Sequence, residues 1–374
     1  GDAAGAARAA ERPVPIAVAV SLAFILGLVV VADPLTAVVG GTAIDAGLSG
    51  AMLRVVVFSL PFAGLAAIAR GFVTGRGSTR PVVLSAVVAA VVDVGVSVAL
   101  LPVLGPLGVS VGTVCSPLAG CAVLLVWIAR LGAGATTPRL LPACLRPPGR
   151  AQREPFGLGW SDGLLGATSA GAGVVATLVL STSPPEVLAA TRTLDALLVI
   201  AWVVLMGITS AGLTVLSQGR GANDRDAYRR ALTAMLVVGA VPVIVLTAGF
   251  PWVTEPLLAA TVGTAIAAQA GSVAWLAWTG APWILATSAA LAICRSFRDT
   301  RTPLWASLLS EYAVFLPVGW LLCRGLGLGI VGLFVTHHVY YAAFLLVSGG
   351  VAVAHLRRPW DRPSRYEAAA ESGR

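Results

Sequence analysis

Six ionisable side chains stand inside long runs of apolar residues, where a charge is expensive to bury. A charge at the centre of a membrane costs roughly 2.5 to 3.5 kcal/mol on insertion scales, so such groups usually face protein or a water-filled cavity. In such places carboxylates and imidazoles bind and release protons or hold a cation. The six residues are Asp93, Arg192, Asp195, Glu311, His337 and His338.

Two of these residues are isolated acids. Asp93 lies among Val and Ala, 13 residues after Arg80, and Glu311 lies nine residues into its own apolar run. Each suits a proton-binding or cation-binding role. Each also suits a structural carboxylate that a neighbouring helix satisfies by hydrogen bonds. The sequence leaves both alternatives open.

The other four residues form two pairs. Arg192 and Asp195 are spaced i, i+3, which puts them on one helix face and favours a structural ion pair over a role in transport. His337 and His338 point about 100° apart on a helix, so we expect at most one of them to face a pathway. Their alternatives are a proton relay and an interhelical hydrogen bond.

Two aromatic residues follow prolines at equivalent places in the chain. Phe62 comes after Pro61 and Trp283 comes after Pro282. Flat apolar side chains of this kind can line a cleft for small organic molecules. Core packing is the alternative for both.

The composition indicates that these residues belong to a membrane protein. The chain is 57% hydrophobic and 11% charged, whereas about a quarter of the residues in a soluble domain are charged. The net charge of +8 comes from Arg residues at the ends of apolar runs, so it indicates membrane topology and no nucleic-acid partner. No metal-protease, hydrolase or P-loop motif is present. We therefore expect no enzyme, cofactor or metal site.

The apolar runs predict ten transmembrane helices, because about 20 apolar residues span a bilayer. Residues 1–130 form a first lobe with four spans, 131–155 a Pro- and Arg-rich cytoplasmic linker, 156–356 a second lobe with six spans, and 357–374 a polar tail. The spans are 14–32, 48–72, 81–102, 106–129, 163–182, 189–217, 231–250, 264–293, 302–323 and 328–356.

The distribution of Arg residues predicts the orientation of the chain in the membrane. When alternate loops are assigned to alternate sides, all but three of the 25 basic residues fall on one side, and the exceptions are Arg54, Arg192 and Arg324. The positive-inside rule then places both ends of the chain in the cytoplasm of a multi-pass plasma-membrane protein.

The chain also contains an internal repeat. Pro61 and Pro282, Thr79 and Thr300, and Arg80 and Arg301 are each 221 positions apart, and Gly105-x-x-Gly108 recurs 224 positions later as Gly329-x-x-Gly332. Landmarks in one order at nearly one offset indicate that the two halves repeat one helical unit. The offset predicts a parent of six plus six spans, with the first two missing here.

Taken in order, these motifs resemble the MATE family of multidrug and toxic-compound extrusion transporters. The resemblance covers all ten predicted spans. The residues that carry it are Leu60-Pro61-Phe62, Arg76-Gly77-Ser78-Thr79-Arg80-Pro81, Gly105-x-x-Gly108, Ala189-Ala190, Leu216-x-Gln218-x-x-Gly221, Arg298-Asp299-Thr300-Arg301-Thr302-Pro303, Leu316-Pro317 and Gly329-x-x-Gly332.

The resemblance implies an all-α, two-lobed helical bundle with a central cleft. It further implies a monomeric antiporter that exports drugs, secondary metabolites or other amphipathic organic cations against protons or sodium. The family's coupling acid in the first helix has no counterpart here. The acids that build its sodium site are also absent, since residues 163–182 and 264–293 contain none. Protons are therefore favoured over sodium.

Two alternatives remain open at this point. A lipid-linked oligosaccharide flippase of the same superfamily also carries a Thr-Arg-x-Pro turn, but it would be expected to place several Arg residues in its cleft, and only Arg192 and Arg54 lie near membrane depth. The second alternative is an inactive truncated fragment, because a first lobe without two helices lacks a wall.

Overall fold

The computed structural model describes residues 3–40, 46–131, 137–146, 153–180 and 185–358. Over these residues it is helical and contains no strand, so the predicted all-α class is confirmed. The chain forms two compact units, Gly1–Gly157 and Leu158–Arg374. The predicted domain boundaries stay a prediction.

The first unit contains seven helices among its described residues. A single turn of 3₁₀ helix, Val57–Ser59, joins the third to the fourth. The helices are α1 (Ala3–Glu11), α2 (Val14–Gly40), α3 (Ala46–Val56), α4 (Leu60–Gly75), α5 (Arg80–Leu104), α6 (Pro106–Arg130) and α7 (Leu140–Cys144).

The described part of the second unit contains eleven helices, the first of which begins just before the boundary. Three segments of π-helix interrupt its last spans, at Leu309–Phe315, Leu321–Gly325 and Leu345–Gly349. The helices are α8 (Arg153–Leu180), α9 (Pro185–Gly221), α10 (Arg225–Ala248), α11 (Phe250–Val262), α12 (Thr264–Ser272), α13 (Ala274–Trp278), α14 (Gly280–Ser296), α15 (Arg301–Leu308), α16 (Leu316–Trp320), α17 (Gly329–Phe344) and α18 (Gly350–Arg357).

Nine stretches of the described chain are long and apolar enough to cross a membrane. The tenth predicted span, 163–182, is not among them; it falls in α8 and ends outside the described residues. The nine stretches are Gly5–Ala37, Gly47–Gly75, Arg80–Leu104, Pro106–Arg130, Ala189–Gly221, Arg225–Ala248, Ala274–Ser296, Arg301–Gly325 and Gly329–Arg357.

One predicted span boundary is wrong in the first unit. The sequence predicts that Asp33-Pro34 ends the first span, yet α2 continues to Gly40 with Pro34 inside it. A proline leaves a carbonyl of the preceding turn without its donor, and in membranes nearby side chains relieve such carbonyls. The carbonyl that Pro34 leaves without its donor is that of Val30. Near it, Arg54 donates from Nε to the Val29 carbonyl at 3.3 Å, and Thr36 donates to the Ala32 carbonyl at 2.9 Å.

A second correction concerns the predicted span 264–293. The structure divides it into α12, α13 and α14, with breaks at Val273 and Thr279. Only Ala274–Ser296 remains as a membrane-length stretch, while α12 packs beside α11. At the second break, the Thr279 hydroxyl lies 3.0 Å from Nε2 of His338 on α17.

The predicted linker 131–155 contains an ordered helix. Within it, α7 buries Leu140 and Ala143 against the first unit. The Glu11 carboxylate at the end of α1 accepts the Arg139 N–H at 2.7 Å and pairs with Arg146 at 3.3 Å. The chain after α6 is therefore fastened to the first unit through α1.

The two halves of the predicted repeat have the same backbone turns. Thr79 precedes α5 as Thr300 precedes α15. Gly105 and Gly329 both have positive φ, 58° and 51°, a conformation that L side chains rarely adopt. The equivalent glycines are thus required by the backbone in each unit.

The next glycine of each motif is required by packing. A Cβ atom on Gly108 would lie 2.7 Å from the Leu100 carbonyl carbon, and one on Gly332 would lie 3.0 Å from the Leu322 carbonyl carbon. Small residues of this kind let membrane helices approach backbone to backbone. Each unit therefore closes its helix hairpin with the same contact.

Candidate functional site

A cavity of about 220 Å³ lies inside the second unit, where α9, α13, α14 and α17 meet. It brings together residues that are far apart in the sequence, including three of the predicted candidates. Its lining residues are Asp195, Leu198, Val199, Trp202, Ala277, Gly280, Ile284, Phe334, His337, His338 and Tyr341.

Asp195 supplies the only carboxylate in this lining. The predicted ion pair with Arg192 is present, but its Nη1 lies 3.7 Å from Asp195 Oδ2, which is beyond hydrogen-bond distance. The pairing therefore leaves the carboxylate able to accept hydrogen bonds from the cavity side. Arg192 itself does not line the cavity.

Both histidines line the cavity. The expectation that at most one of them faces a transport pathway stays a prediction. His337 lies between two phenylalanine rings, with Phe315 edge-on at 5.0 Å and Phe334 stacked at 5.7 Å. Its Nδ1 is 3.0 Å from the Leu333 carbonyl. A carbonyl only accepts, so Nδ1 carries the proton and Nε2 is the second titratable position.

His338 has partners on both ring nitrogens. Its Nδ1 lies 2.8 Å from the Phe334 carbonyl, and its Nε2 lies 3.0 Å from the Thr279 hydroxyl. The Trp283 ring stands edge-on at 6.5 Å between centroids. Trp283 therefore contacts His338, which lines the cavity, but Trp283 itself does not line it.

Aromatic rings complete the wall around the carboxylate. Trp202, Phe334 and Tyr341 line the cavity with Asp195, and the faces of such rings attract cations. One carboxylate with aromatic walls is the arrangement expected to hold a small organic cation. Among the described residues, no group of three His, Cys, Asp or Glu side chains could hold a metal ion.

Glu311 lies outside this lining. It is 4% exposed on the π-helical segment Leu309–Phe315, and Ser169 donates to its Oε1 at 2.6 Å. Its Oε2 is buried and finds no hydrogen-bond partner among the described residues. Tyr340 on α17 interacts electrostatically with it. Glu311 stays a predicted pathway residue that the structure does not join to the cavity.

Asp93 and Phe62 lie in the first unit, and the structure does not bring them together. The Asp93 side chain faces α6, where a Cβ on Gly112 would lie 3.1 Å from Asp93 Oδ1. Phe62 is half-buried in α4. Both stay predictions.

The comparisons with known proteins address the family directly. A model of the MatE family matches residues 1–99 and 167–321, which is more than half of the chain.

The chain belongs to the MATE family.

Relatives agree with this MATE assignment. The chain is 27% identical over 349 residues to the probable multidrug resistance protein NorM of Pseudomonas aeruginosa, covering 88% of this chain and 70% of NorM. The eukaryotic MATE transporter AtDTX14 has a similar fold with a TM-score of 0.78, at 16% identity, covering 98% of this chain and 84% of that one. A MOP superfamily transporter from Pyrococcus furiosus gives 0.74 at 12% identity, covering 96% and 82%.

The family membership fixes the broad function. MATE proteins are multi-pass membrane transporters of small molecules, and this MATE chain shares their helical fold. The sequence resemblance is thereby confirmed. Family membership does not specify the coupling ion, the charge of the substrate or the orientation in the membrane. These properties depend on the residues of this chain.

In the second copy of the repeated turn, Asp299 contacts residues on both sides. The Asp299 carboxylate accepts the Thr302 N–H at 3.0 Å, the Thr302 hydroxyl at 2.7 Å and His355 Nε2 at 3.1 Å. Burial opposes ionisation of the carboxyl, but the hydrogen bonds from His355 and Thr302 lower the pKa of Asp299 to about 2. The ionised carboxylate ties the start of α15 to the end of α18.

Acid should weaken this tie. The folded pKa of about 2 lies below the usual value of about 3.9, so the stabilisation is complete above about pH 4 and is lost as the pH falls towards 2. We expect about 2 kcal/mol to disappear over this window, and Asp299→Asn to lose it at every pH. Thermal unfolding of the purified protein between pH 6 and pH 2.5 measures both.

The matched control is Asp226→Asn, an exposed carboxyl in the first turn of α10. This variant should keep the acid response of the wild type. Equal acid sensitivity of wild type and Asp299→Asn would contradict the assignment to Asp299.

Several residues of the cavity are not marked by any pattern in the sequence. Trp202 and Tyr341 were not distinguished from core aromatics, because nothing local marks which face of α9 or α17 is lined by a cavity. Thr279 did leave a signal, since Thr279-Gly280-Ala281-Pro282 is a turn-like sequence inside an apolar run. The predicted span 264–293 runs through this sequence, but the structure breaks the helix there.

Proposed function

We propose that this MATE protein is a secondary antiporter that exports small organic cations in exchange for protons. The observation that carries the proposal is the cavity of the second unit, where the Asp195 carboxylate lies among aromatic rings and two histidines. Export of drugs or secondary metabolites follows from that chemistry when the compound carries a positive charge.

The choice of protons rests on the groups available. Imidazole is the side chain whose ordinary pKa lies closest to neutral pH, so histidines suit exchange of protons in the physiological range. His337 and His338 both line the cavity that holds the carboxylate. The chain's positive-inside pattern supports a plasma-membrane location with both ends in the cytoplasm.

The energetics of such an exchange are simple. When one monovalent cation leaves for each proton that enters, the net charge moved is zero and the membrane potential does no work. Each pH unit then drives about a tenfold concentration gradient, equivalent to about 1.36 kcal/mol. Export should therefore follow the pH difference alone.

Reconstituted transport tests this proposal. The full chain is placed in proteoliposomes with a pH gradient, and efflux of ethidium and of smaller quaternary ammonium cations is followed. We expect efflux that nigericin abolishes by collapsing the pH difference, that valinomycin with potassium leaves unchanged, and that sodium at constant pH does not drive.

Two results would decide against the proposal. Efflux that persists after the pH difference is removed would exclude proton exchange, and efflux driven by a sodium gradient alone would replace it by sodium coupling. Protein-free liposomes with the same gradient control for leakage of the cations.

A further inference from the structure

We propose that His338 is the group that carries the exchanged proton, and that the Thr279 hydroxyl positions it. This inference deepens the proposed function, since it names the coupling residue of the same cavity. It rests on hydrogen-bond geometry around one imidazole ring.

The chain of contacts through His338 has four members. The Phe334 carbonyl lies 2.8 Å from Nδ1, the Thr279 hydroxyl lies 3.0 Å from Nε2, and the same hydroxyl donates to the Leu276 carbonyl at 2.7 Å. The first and last members are carbonyls, which only accept. Every hydrogen between them must therefore come from the imidazole or the hydroxyl.

The imidazolium form completes this chain. With protons on both nitrogens, Nδ1 donates to Phe334, Nε2 donates to the Thr279 oxygen, and the hydroxyl proton remains for Leu276. Each contact then has one donor and one acceptor. The charge is also shared along three hydrogen bonds, which strengthens them.

The neutral imidazole of His338 cannot complete this chain of hydrogen bonds. The carbonyl of Phe334 holds the proton on Nδ1, so Nε2 becomes an acceptor. The one hydroxyl proton of Thr279 then goes either to Nε2 or to Leu276. In both cases one contact in an apolar site lacks a donor, which is unfavourable. The geometry points to a ring that gains a proton and a hydrogen bond together.

This arrangement links proton binding to substrate binding. His338 and Asp195 line the same small cavity, so a proton on His338 places a positive charge beside the position where an organic cation would meet the carboxylate. Like charges at short range repel, and more strongly where little water lies between them. Loading the proton should therefore expel the cation, and release of the proton should allow it to bind.

The other ionisable groups around α17 are few. On α17 itself they are His337, Tyr340 and Tyr341; α9 contributes Asp195 with Arg192 beside it, while α13 and α14 contribute no ionisable side chain to the lining. On the side facing Leu309–Phe315, Glu311 interacts with Tyr340. His338 is distinguished from His337 by having a second, hydroxyl partner.

Trp283 provides a direct optical test without transport. Its ring stands edge-on to His338 at 6.5 Å, and an imidazolium close to an indole quenches its fluorescence. In the purified full chain, fluorescence should fall when His338 gains a proton as the pH is lowered. The change should be absent from His338→Gln and from Trp283→Phe, and it should persist in His337→Gln.

Variants of Thr279 test the positioning. Thr279→Val keeps the shape but removes the acceptor for Nε2, so the midpoint should fall by about one pH unit, a tenfold loss of proton affinity. Thr279→Ser keeps the hydroxyl and should restore the wild-type midpoint. A fluorescence transition that survives in His338→Gln, or a Thr279→Val midpoint equal to the wild type, would overturn the proposal.

The two proposals fail in different ways. If the fluorescence transition belongs to His338 but export ignores the pH difference, the proposed function fails while the His338 assignment stands. If export follows the pH difference but the transition belongs to His337, the function stands and the coupling residue is wrong.

Discussion

Asp195→Asn should lower kcat/KM for a cationic substrate by about 30-fold or more, while a neutral compound of the same shape should be unaffected. The carboxylate is the only negative group in the cavity lining, and an organic cation there would lose its charged partner. Removing one member of a desolvated charge pair costs about 2 to 5 kcal/mol, and 2 kcal/mol corresponds to about 30-fold.

Efflux from proteoliposomes measures this change, and equilibrium binding of the same cation separates affinity from rate. Asp226→Asn is the matched control, because it removes an exposed carboxyl of α10 outside the cavity. The fluorescence transition assigned to His338 should remain in Asp195→Asn. Wild-type affinity for the cation in Asp195→Asn would show that the substrate does not meet this carboxylate.

The sequence predicts that Asp195 is a candidate functional residue, but it does not predict which residues surround it. Asp195 was identified as an acid inside an apolar run, and its spacing to Arg192 gave the ion pair that the structure shows. His337 is 142 positions further on. Only the packing of α17 near α9 brings the two to one cavity, and no local pattern encodes that distance.

Long apolar segments were predicted well because burial in a membrane is a property of composition. The sequence did not predict where the helices inside these segments break or continue. The sequence predicts that the first span ends before Pro34, but α2 continues to Gly40, and Arg54 and Thr36 donate to the Val29 and Ala32 carbonyls near the proline. The predicted span 264–293 continues through Thr279, where the structure breaks it. In both places side chains make hydrogen bonds to residues far away in the sequence, Arg54 to Val29 and Thr279 to His338, and no local pattern encodes these contacts.

The repeat was the most informative sequence pattern. Gly105 and Gly329 occupy equivalent positive-φ turns, and Gly77 and Arg298 form another such pair at φ of 77° and 59°. A glycine at one copy and an arginine at the other shows that the backbone conformation was kept while the residue changed. Arg298 holds a conformation that costs a non-glycine residue about 1 kcal/mol or more.

The short helix α13 sets the position of Thr279, and Trp278 holds α13 in place. Trp278 has 0% exposure, its Nε1 donates to the Thr254 hydroxyl at 2.8 Å, and its ring lies 4.7 Å from that of Phe250. Its neighbour Ala277 lines the cavity. The packing of one tryptophan thereby fixes both a wall of the cavity and the hydroxyl that contacts His338.

Trp278→Ala should lower the free energy of unfolding by about 3 to 5 kcal/mol, because it leaves a large cavity and removes the donor to Thr254. Trp275→Ala is the matched control on the same helix, since Trp275 is 47% exposed and its loss should cost about 1 kcal/mol or less. Denaturant unfolding of the purified protein measures both changes. Because the loss would free Thr279, Trp278→Ala should also move the fluorescence midpoint of His338 to lower pH, as Thr279→Val does. Equal stability of the two tryptophan variants would show that α13 is held by other contacts, and the position of Thr279 would then need another explanation.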